Sequence, residues 1–511
     1  MLAKTYGMSV IGISAALITI ETNVGQGSKC FLVGLPDSTI KESILRVESA
    51  IKHMGCFFPR RKVIINLAPA NIRKEGSAYD LPIALSIMHA SEQVDMQVLV
   101  NFVIMGELAL DGVLRPIKGA LAMIMEAKKQ GFTKIILPRA NAMEAAMIKG
   151  MDVFGMENLQ ETVLFLRGKT VHKPFPTTQT TIHAYDEDLD LDFAHVHGQK
   201  VAKRAFEIAA AGGHNLILIG PPGAGKTMLA KRIPSILPPL SLDEAMETTI
   251  IHSVAGKIVQ NSHLISKRPF RAPHHSISAT ALIGGGSNPQ PGEISLAHNG
   301  VLFLDEMPEF SRHALEVMRQ PLEDHHVLIS RTKWSIAFPA NFMLIASMNP
   351  CPCGYFNHHS KDCTCGEEVV KRYLNKISGP LLDRIDLHIE VSPVSFDEIR
   401  SAEIAESSEK IRARVIVARK IQHNRFLDFA DVHANAGMTG QQTSQFCPLN
   451  PEVELLLQQA MNRLKLSARA FERILKVART IADLAGQLDI NQRHMAEAIT
   501  YRNLDRENWA G

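Results

Sequence analysis

The chain has 511 residues, more than one compact core usually requires, so two or three domains are expected. Hydrophobic residues make up 46% of the sequence and charged residues 21%, a balance that excludes wholesale disorder. The formal net charge of +3 neither requires nor excludes nucleic acid as a partner, because a local basic stripe would be averaged away.

One apolar run near the start, residues 8–20, is the only segment that resembles a targeting signal. It is too short to span a bilayer. It also lacks a small-residue cleavage site and continues into Glu21, Thr22 and Asn23, which are typical of a strand followed by a turn. We therefore expect a cytoplasmic protein without a membrane partner, in which thiols stay reduced.

The pattern along the chain predicts an α/β protein in four parts. Residues 1–168 alternate short β-rich runs with segments of helical period. Residues 169–192 contain prolines, threonines and an acidic run, which predict a solvated linker. Strand and helix patterns return over 193–394, and residues 395–511 are predicted to be helical.

The strongest chemical signal is a glycine-rich loop between the apolar run 216–219 and the helical stretch 228–233. This is the strand–loop–helix context that the phosphate-binding pattern G-x-x-x-x-G-K-[ST] requires. Its glycines let main-chain N–H groups converge on phosphate oxygens, helped by the positive end of the following helix. We expect Lys226 to reach the β- and γ-phosphates and Thr227 to bind Mg²⁺. The predicted cofactor-binding residues are Gly220, Pro221, Pro222, Gly223, Ala224, Gly225, Lys226 and Thr227.

Two further segments complete a predicted hydrolytic site. The apolar run 301–304 ends in Asp305, which we assign to the Mg²⁺ shell, and Glu306, which we assign to general-base work on the attacking water. The run 342–346 leads to Asn349, whose amide can orient that water or a γ-phosphate oxygen. The alternative interpretations are a strand end that meets solvent for the two acids and a turn residue for Asn349.

These residues and the stretch 378–387, SGPLLDRIDL, resemble AAA+ ATPases of the magnesium-chelatase and replicative-helicase branch. In that branch the arginine of the Leu-Asp-Arg-Ile-Asp element acts on the ATP of the neighbouring subunit. The resemblance assigns this role to Arg384. The alternative is an arginine paired with Asp383 or Asp386 of the same chain.

Two more elements of that branch have counterparts here. The stretch 466–479 resembles the lid helix that carries the second sensor arginine. Arg469 is the better match, and Arg473 lies four residues on along the same helix face, so both stay candidates. Residues 196–199 resemble the element beside the adenine base, which makes Gln199 a candidate and leaves His197 open to a packing role.

The chain as a whole resembles the ComM/YifB family of bacterial magnesium-chelatase-like proteins. Three less common blocks carry the resemblance, at residues 34–37, 268–275 and 349–354. It implies a P-loop AAA+ core with a C-terminal helical lid, ATP and Mg²⁺ as cofactors, and a hexameric motor that drives branch migration of DNA recombination intermediates. Two other classes stay open: a magnesium-chelatase ATPase subunit that remodels a partner protein, and a protein-remodelling or proteolytic machine.

The first domain resembles the proteolytic domain of Lon, which has the ribosomal-protein-S5-like α+β fold. The matching stretches are residues 74–80 and 106–119. Lon uses a Ser–Lys pair in which the lysine activates the hydroxyl. Gapless matching puts Ala78 at the serine position and Leu121 at the lysine position, with Ser77 and Lys118 out of register. We therefore expect this domain to lack peptidase activity.

Four of the seven cysteines form two closely spaced C-x-C pairs. Four thiolates so placed can close a tetrahedral Zn²⁺ site, and a reducing compartment favours metal over disulfides. His358 and His359 lie between the pairs and are alternative ligands, and four free cysteines in a surface loop are the other interpretation. The candidate zinc ligands are Cys351, Cys353, Cys363 and Cys365.

Two basic segments are candidates for gripping a polymer. One is the block 267–275, and the other is the segment 330–334, which is predicted to be a hairpin tip. In the helicase branch, insertions at these places line the central pore, where basic groups bind phosphates and an aromatic ring stacks on a base. The alternative is a solvated charged hairpin. The predicted DNA contacts are Arg268, Arg271, Arg331, Lys333 and Trp334.

Overall fold

The protein is described from a computed structural model that covers residues 2–74, 76–176, 191–257, 264–286, 289–331, 334–356, 361–394, 398, 405–429 and 432–502. Packing divides the chain into two compact units. The first unit comprises Met1–His183 together with Leu242–Ile265, and the second comprises Ala184–Ser241 together with Ser266–Gly511. None of the described helices combines the length and apolar character needed to cross a bilayer.

The first unit is built on a seven-stranded mixed sheet with the order β3-β4-β2-β1-β5-β8-β9. Its first two strands form a hairpin in which Met8 pairs with Leu17, so the apolar run 8–20 is folded back on itself. Glu21, Thr22 and Asn23 continue the second strand and do not form the turn we expected. The strands of this unit, with the small ribbon β6–β7, are β1 Leu2–Ile11, β2 Ser14–Gly25, β3 Cys30–Val33, β4 Lys62–Ala68, β5 Val103–Ile104, β6 Glu107–Leu108, β7 Leu114–Arg115, β8 Lys134–Pro138 and β9 Asp152–Met156.

Helices cover this sheet and form two apolar clusters with it. The helices are α1 Ser38–His53, α2 Asp80–Ala90, α3 Ala120–Lys129, α4 Arg139–Ala145, α5 Leu159–Leu166 and, from the later segment, α8 Leu242–Val254. Sequence alone put α8 within the stretch 193–394. It packs in the first unit because Ile250 and Val254 join one of the two clusters, and because Ser253 Oγ donates a hydrogen bond of 2.5 Å to Glu144.

The second unit contains a five-stranded parallel sheet with the order β11-β14-β17-β10-β18. Three of its strands are mainly apolar and buried at every position, as expected for strands that are covered on both faces. Because all five strands run in the same direction, their carboxyl ends meet at one edge. The strands are β10 Leu216–Ile219, β11 Phe270–Arg271, β14 Val301–Leu304, β17 Met343–Met348 and β18 Leu387–Glu390, with ribbons β12 Gly284–Gly285 and β13 Gln290–Pro291, and β15 His326–Arg331 and β16 Trp334–Pro339.

The C-terminal helices belong to the same compact unit as this sheet. Ile474, Val477 and Ile481 of α18 and Val415 of α15 lie in one apolar cluster with the sheet residues Leu216 and Leu387. The helices of this unit are α6 Lys200–Gly212, α7 Lys226–Arg232, α9 Ala279–Ile283, α10 Glu293–Leu296, α11 Arg312–Glu316, α12 Pro321–Asp324, α13 Glu367–Leu374, α14 Gly379–Leu382, α15 Ser408–Arg425, α16 Gly440–Phe446, α17 Pro451–Leu464, α18 Ala468–Leu484 and α19 Gln492–Thr500.

A buried ion pair in the first unit gives a stability prediction. Arg46 binds both carboxylate oxygens of Asp80, which is fully buried, at 2.7 and 3.0 Å. Burial raises the pKa of Asp80 to about 6 even though Arg46 lowers it. Arg46→Ala should therefore cost about 3 kcal/mol of unfolding free energy at pH 7.5, because the carboxylate loses its partner. The loss of unfolding free energy in Arg46→Ala should be smaller at pH 5, because Asp80 takes up a proton there and no longer carries a charge.

Urea denaturation followed by circular dichroism at both pH values measures the effect. Lys52→Ala is the matched control, because the Lys52 ammonium pairs with Glu48 on the exposed face of the same helix. A loss of stability independent of pH would contradict the proposed role of the Asp80 charge.

Candidate functional site

The glycine-rich loop lies at the carboxyl edge of the parallel sheet, between β10 and α7. Gly223 and Gly225 have φ values of +79° and +87°, a region that favours glycine. A Cβ on Gly220 would lie 2.1 Å from the carbonyl oxygen of Val391, so this position also needs glycine for close approach to the neighbouring chain segment. The conformation of the loop is therefore fixed by its packing against the segment that follows β18. The loop leads into the N-terminal end of α7, which carries the positive end of the helix dipole.

Lys226 is the first residue of α7, and its side chain is turned back along the loop. The ammonium donates hydrogen bonds to the carbonyl oxygens of Gly220 and Pro221 at 2.6 and 3.0 Å, and to Oδ1 of Asn349 at 3.0 Å. Burial lowers the pKa of Lys226, while Asp305 and Glu306 oppose that shift. The loop lysine and the asparagine after β17 are thus in direct contact.

The carboxylate after β14 is bound from two sides. Thr227 Oγ1 donates a hydrogen bond of 2.8 Å to Oδ2 of Asp305, and the Ser347 hydroxyl donates to Oδ1. Ser347 Oγ also accepts a hydrogen bond of 3.2 Å from the main-chain N–H of Glu306. Glu306 has φ +53°, and its side chain is more than half exposed, with His275 Nδ1 at 3.9 Å. Asp305 and Thr227 together offer the hard oxygen ligands that Mg²⁺ prefers.

Ser347 and Tyr373 are site residues that our reading of the sequence did not identify. Ser347 is fully buried and lies two positions before Asn349, so the period of the strand was a signal that could have found it. Tyr373, in α13, hydrogen-bonds the main chain of Asn349. Its sequence distance from the site leaves no comparable signal.

Gln199 lies beside the phosphate loop, and its role beside the adenine base stays a prediction. Its side-chain amide donates a hydrogen bond of 2.6 Å to the carbonyl oxygen of Ser392 and a longer one of 3.5 Å to that of Ala224. Gln199 has φ +53° and stands at the N-cap position of α6, where its side chain makes no capping hydrogen bond. The residue therefore joins the loop to the segment that follows β18.

Arg384 is buried in an ion pair with a residue that sequence reasoning did not name. Its Nη2 lies 2.5 Å from Oε1 of Glu323, and the side chain is 6% exposed. The guanidinium also donates to the carbonyl oxygen of Pro380. The pairing with Asp383 or Asp386 considered above is not the one found. A role toward a neighbouring subunit requires Arg384 to leave Glu323.

The two candidate lid arginines have different surroundings. Arg473 lies 2.9 Å from Oδ1 of the fully buried Asp386, whose Oδ2 accepts a hydrogen bond from the N–H of Asn215. Although burial opposes ionisation, Arg473 holds the pKa of Asp386 well below its usual range. Asn215 and Asp386 precede β10 and β18, so Arg473 lies at the amino edge of the sheet, opposite the phosphate loop. Within the chain, Arg473 is therefore a partner of Asp386, and its role as the lid sensor stays a prediction. Arg469, one turn earlier, is exposed.

The basic block has structural partners. Arg268 donates to the carbonyl oxygens of Pro238 and Asn299, both at 2.7 Å, and Arg271 binds both carboxylate oxygens of Glu293 at 2.6 and 2.8 Å. Both guanidinium groups therefore bind groups of their own chain, and their contact with DNA stays a prediction.

The second basic segment forms a hairpin, as predicted. Its strands β15 and β16 pair from His326 and Pro339 out to Arg331 and Trp334. The side chains of Arg331 and Trp334, and the whole of Lys333, lie outside the described residues.

The four cysteines of the C-x-C pairs are brought together by the chain. The sulfur of Cys351 lies 3.3 Å from that of Cys353 and 3.7 Å from that of Cys363, and the sulfurs of Cys353 and Cys363 are 3.5 Å apart. All four sulfur atoms, that of Cys365 included, lie within 4.8 Å of one another, and none is in a disulfide. His358 and His359 lie outside the described residues.

The positions that correspond to the Lon dyad lie in an apolar cluster of the first unit. Ala78 and Leu121 pack there with Met105 and Ile117. Ser77, one position away, donates its hydroxyl to Glu107 and not to a lysine. Neither a nucleophile nor a base occupies this pair of positions.

Family models match three consecutive parts of the chain. The model described as magnesium chelatase, subunit ChlI, matches residues 192–399. The model for subunit ChlI of Mg-chelatase matches residues 20–141, and that for the C-terminal part of subunit ChlI matches 405–502. The first of these spans the phosphate loop, Asp305, Asn349 and Arg384, and the third spans the two candidate lid arginines.

Two curated relatives match nearly from end to end. The uncharacterized protein YifB of Escherichia coli is 44% identical over 510 residues, which is 99% of this chain and 98% of that protein. The competence protein ComM of Haemophilus influenzae is 43% identical with the same coverage.

Two further matches are partial. Lon protease 2 of Bacillus subtilis is 28% identical over 164 residues, 31% of this chain and 28% of that protein. The DNA repair protein RadA of Aquifex aeolicus is 30% identical over 112 residues, 22% of this chain and 24% of that protein. With the end-to-end matches and the assembled phosphate-loop site, the chain belongs to the ComM/YifB family of magnesium-chelatase-like AAA+ ATPases.

Proposed function

We propose that this protein hydrolyses ATP to ADP and phosphate and couples that reaction to movement of DNA, as in branch migration of recombination intermediates. The observation that carries the proposal is the convergence of three chain segments at one sheet edge. Lys226 contacts Asn349 at 3.0 Å, and Thr227 contacts Asp305 at 2.8 Å. A phosphate loop, a metal-binding carboxylate and an amide sensor are the parts that ATP hydrolysis requires.

Each group has a defined role in the proposed reaction. Main-chain N–H groups of the loop and the Lys226 ammonium bind the β- and γ-phosphates. Thr227 and Asp305 would hold Mg²⁺, which would supply positive charge to neutralise the phosphates. Glu306 polarises the attacking water and Asn349 orients it against the γ-phosphorus. Because the Glu306 side chain is exposed, water reaches it without a change in the chain.

DNA as the cargo is supported by the hairpin and by one relative. The ribbon β15–β16 extends from the helices after Asp305, and its tip carries Arg331, Lys333 and Trp334 in the sequence. Basic groups with an aromatic suit a nucleic-acid backbone and a stacked base. RadA is named a DNA repair protein. Arg268 and Arg271 carry no part of this proposal, because both are engaged within the chain.

The assembly proposed is a hexameric ring in the cytoplasm, with Arg384 delivered to the ATP of a neighbouring subunit. A guanidinium supplied across an interface makes hydrolysis depend on ring formation. In this proposal Glu323 holds Arg384 until the ring forms. The exposed Arg469 is the lid arginine of the same proposal, whereas Arg473 maintains the buried pair with Asp386.

The cofactors proposed are ATP, Mg²⁺ and a structural Zn²⁺ on the four clustered cysteines. The Lon-like part acts as a structural or substrate-guiding domain without peptidase activity. The apolar surroundings of Ala78 and Leu121 support this proposal, because a Ser–Lys mechanism needs a hydroxyl beside an amine.

A second candidate function is the ATPase subunit of a magnesium chelatase, which would remodel a partner protein. The descriptions of the three matching family models favour it. The two candidates differ in what stimulates ATP turnover: branched DNA in one, and a porphyrin-binding partner in the other.

The test is ATP turnover of the purified protein with and without single-stranded, duplex and four-way DNA. Stimulation should be largest with branched DNA and should fall as salt is raised, because phosphate contacts release counterions.

Lys226→Ala should abolish nucleotide binding, and Glu306→Gln should bind ATP but stall turnover. Turnover unchanged by all three DNAs would overturn the DNA proposal, and turnover unchanged in both variants would overturn the site.

Ser347 gives a second prediction. Ser347→Ala removes the hydroxyl that bonds Asp305 and leaves one oxygen of this partly buried carboxylate without its donor, which should cost about 1.5–3 kcal/mol of unfolding free energy. Turnover should fall about tenfold or more, and the Mg²⁺ concentration at half-maximal rate should rise. Ser444→Ala, on the exposed face of α16, is the control and should change neither quantity. An unchanged Mg²⁺ dependence would contradict the positioning role.

Substitutions of Arg384 and of Glu323 should change the rate of ATP turnover differently. Arg384→Ala should cost turnover about 10³-fold and be partly rescued in mixed rings, because the arginine acts in trans. Glu323→Gln releases Arg384 and should maintain or raise the rate. Equal loss of activity and of thermal stability in both variants would mean that the pair only holds the fold together.

A further inference from the structure

The sulfur geometry of the cysteine cluster fits a tetrahedral metal ion. Zn–S bonds of roughly 2.3 Å at tetrahedral angles place neighbouring sulfurs roughly 3.8 Å apart. The three measured separations among Cys351, Cys353 and Cys363 are 3.3, 3.5 and 3.7 Å, and Cys365 lies within 4.8 Å of each. A disulfide would need roughly 2.05 Å, so the spacing fits metal ligands and not a covalent pair.

Main-chain donors surround these sulfurs. The N–H of Phe356 donates to the sulfur of Cys351 at 3.3 Å, and the N–H of Cys365 donates to that of Cys363 at 3.4 Å. The N–H groups of Tyr355 and Thr364 also bond to Cys353. Such donors compensate the negative charge of metal-bound thiolates and fix their orientation.

The cluster is seated directly on the phosphate loop. Gly354, between the two cysteine pairs, has φ +86°, and a Cβ there would lie 2.4 Å from Cδ of Pro222. Pro222 is the third residue of the phosphate loop. Two residues before Cys351, Asn349 contacts Lys226. One end of the cysteine segment therefore touches the loop at two points.

The other end of the segment returns to the same place. Helix α13 begins directly after Gly366, the residue that follows Cys365, and its Tyr373 bonds the main chain of Asn349. Past the end of this helix, Lys376 lies 3.5 Å from Glu309, three residues after Glu306. The chain thus leaves Asn349, passes through the four clustered cysteines and returns to the main chain of Asn349 at Tyr373.

From this arrangement we infer that Zn²⁺ on Cys351, Cys353, Cys363 and Cys365 braces the phosphate loop, so that metal occupancy controls the affinity for ATP. The inference rests on the proposed function of the loop and adds a regulation to it. Loss of the ion, by chelation or by oxidation of two thiolates to a disulfide with a two-electron oxidant, frees Gly354 from Pro222. The loop then loses the contact that holds it in its binding conformation.

Coupling of this kind works in both directions. If zinc raises the affinity for ATP by some factor, ATP must raise the affinity for zinc by the same factor. We expect about tenfold, within the usual range of such couplings. The prediction has two independent readouts, one at the metal and one at the nucleotide.

The first experiment measures metal content of the full chain by elemental analysis. One zinc per chain is expected, and Cys353→Ser should lose it while Cys56→Ser, outside the cluster, should not. Iron in place of zinc, or no metal in freshly purified protein, would overturn the inference. If Cys353→Ser does not fold, treatment of the unaltered chain with a chelator, followed by zinc re-addition, makes the same comparison.

The second experiment measures binding of a fluorescent ATP analogue before and after zinc removal, and zinc release to a chromogenic chelator with and without ATP. Affinity for the analogue should fall about tenfold without zinc and return on re-addition, and ATP should slow or reduce zinc release by a similar factor. Circular dichroism should show that the zinc-free chain stays folded.

Pro222→Ala distinguishes the effect of the Gly354–Pro222 contact from the effect of the zinc site itself. It removes the contact with Gly354 but no sulfur, so zinc content should stay at one per chain while the coupling factor falls toward one. Equal analogue affinity with and without zinc in the unaltered chain would overturn the inference. No analogue binding even in the zinc-loaded chain would overturn the proposed function instead.

Discussion

The structure depends on one constraint: parallel strands end at a common edge. Thr227 follows β10 through the phosphate loop and Asp305 follows β14, and the hydrogen bond between their side chains closes the gap between the two strands. Asn349 follows β17, the strand between them, and contacts Lys226. Residues separated by 78 and 123 positions meet because the strand order puts β17 between its two partners. The proposed hydrolysis, the contact between Lys226 and Asn349 and the proposed zinc brace all depend on residues at this edge.

Sequence reasoning identified the elements of this edge because each leaves a local signal. The loop glycines, the apolar strands and the acids that follow them are patterns within about ten residues, and β10 and β14 have the bounds that the apolar runs predicted. Ser347 and Tyr373 were missed, because their roles are defined only once β17 and α13 are packed. The turn expected at residues 21–23 was wrong, since β2 pairs with both β1 and β4 there and the chain continues extended.

Charged residues were the least predictable part of the site. A guanidinium in a sequence looks the same whether it will face a phosphate or a carboxylate of its own chain. Arg271 binds Glu293, Arg384 binds Glu323 and Arg473 binds Asp386, and each partner comes from a separate element. A buried charge must be paired, and only the tertiary structure supplies the partner. The cysteines were easier, because C-x-C pairs already bring their sulfurs close.

Helix α8 has a consequence for how this protein can be divided. Its residues come after the phosphate loop in the chain, yet they complete the apolar interior of the first unit. A fragment that stops at residue 168 would lack Ile250 and Val254 of this helix, which lie in one apolar cluster with Met123 and Ile124 of α3. The amino-terminal third alone therefore lacks part of its apolar cluster, and during translation the whole cluster is available only once the chain extends past residue 254.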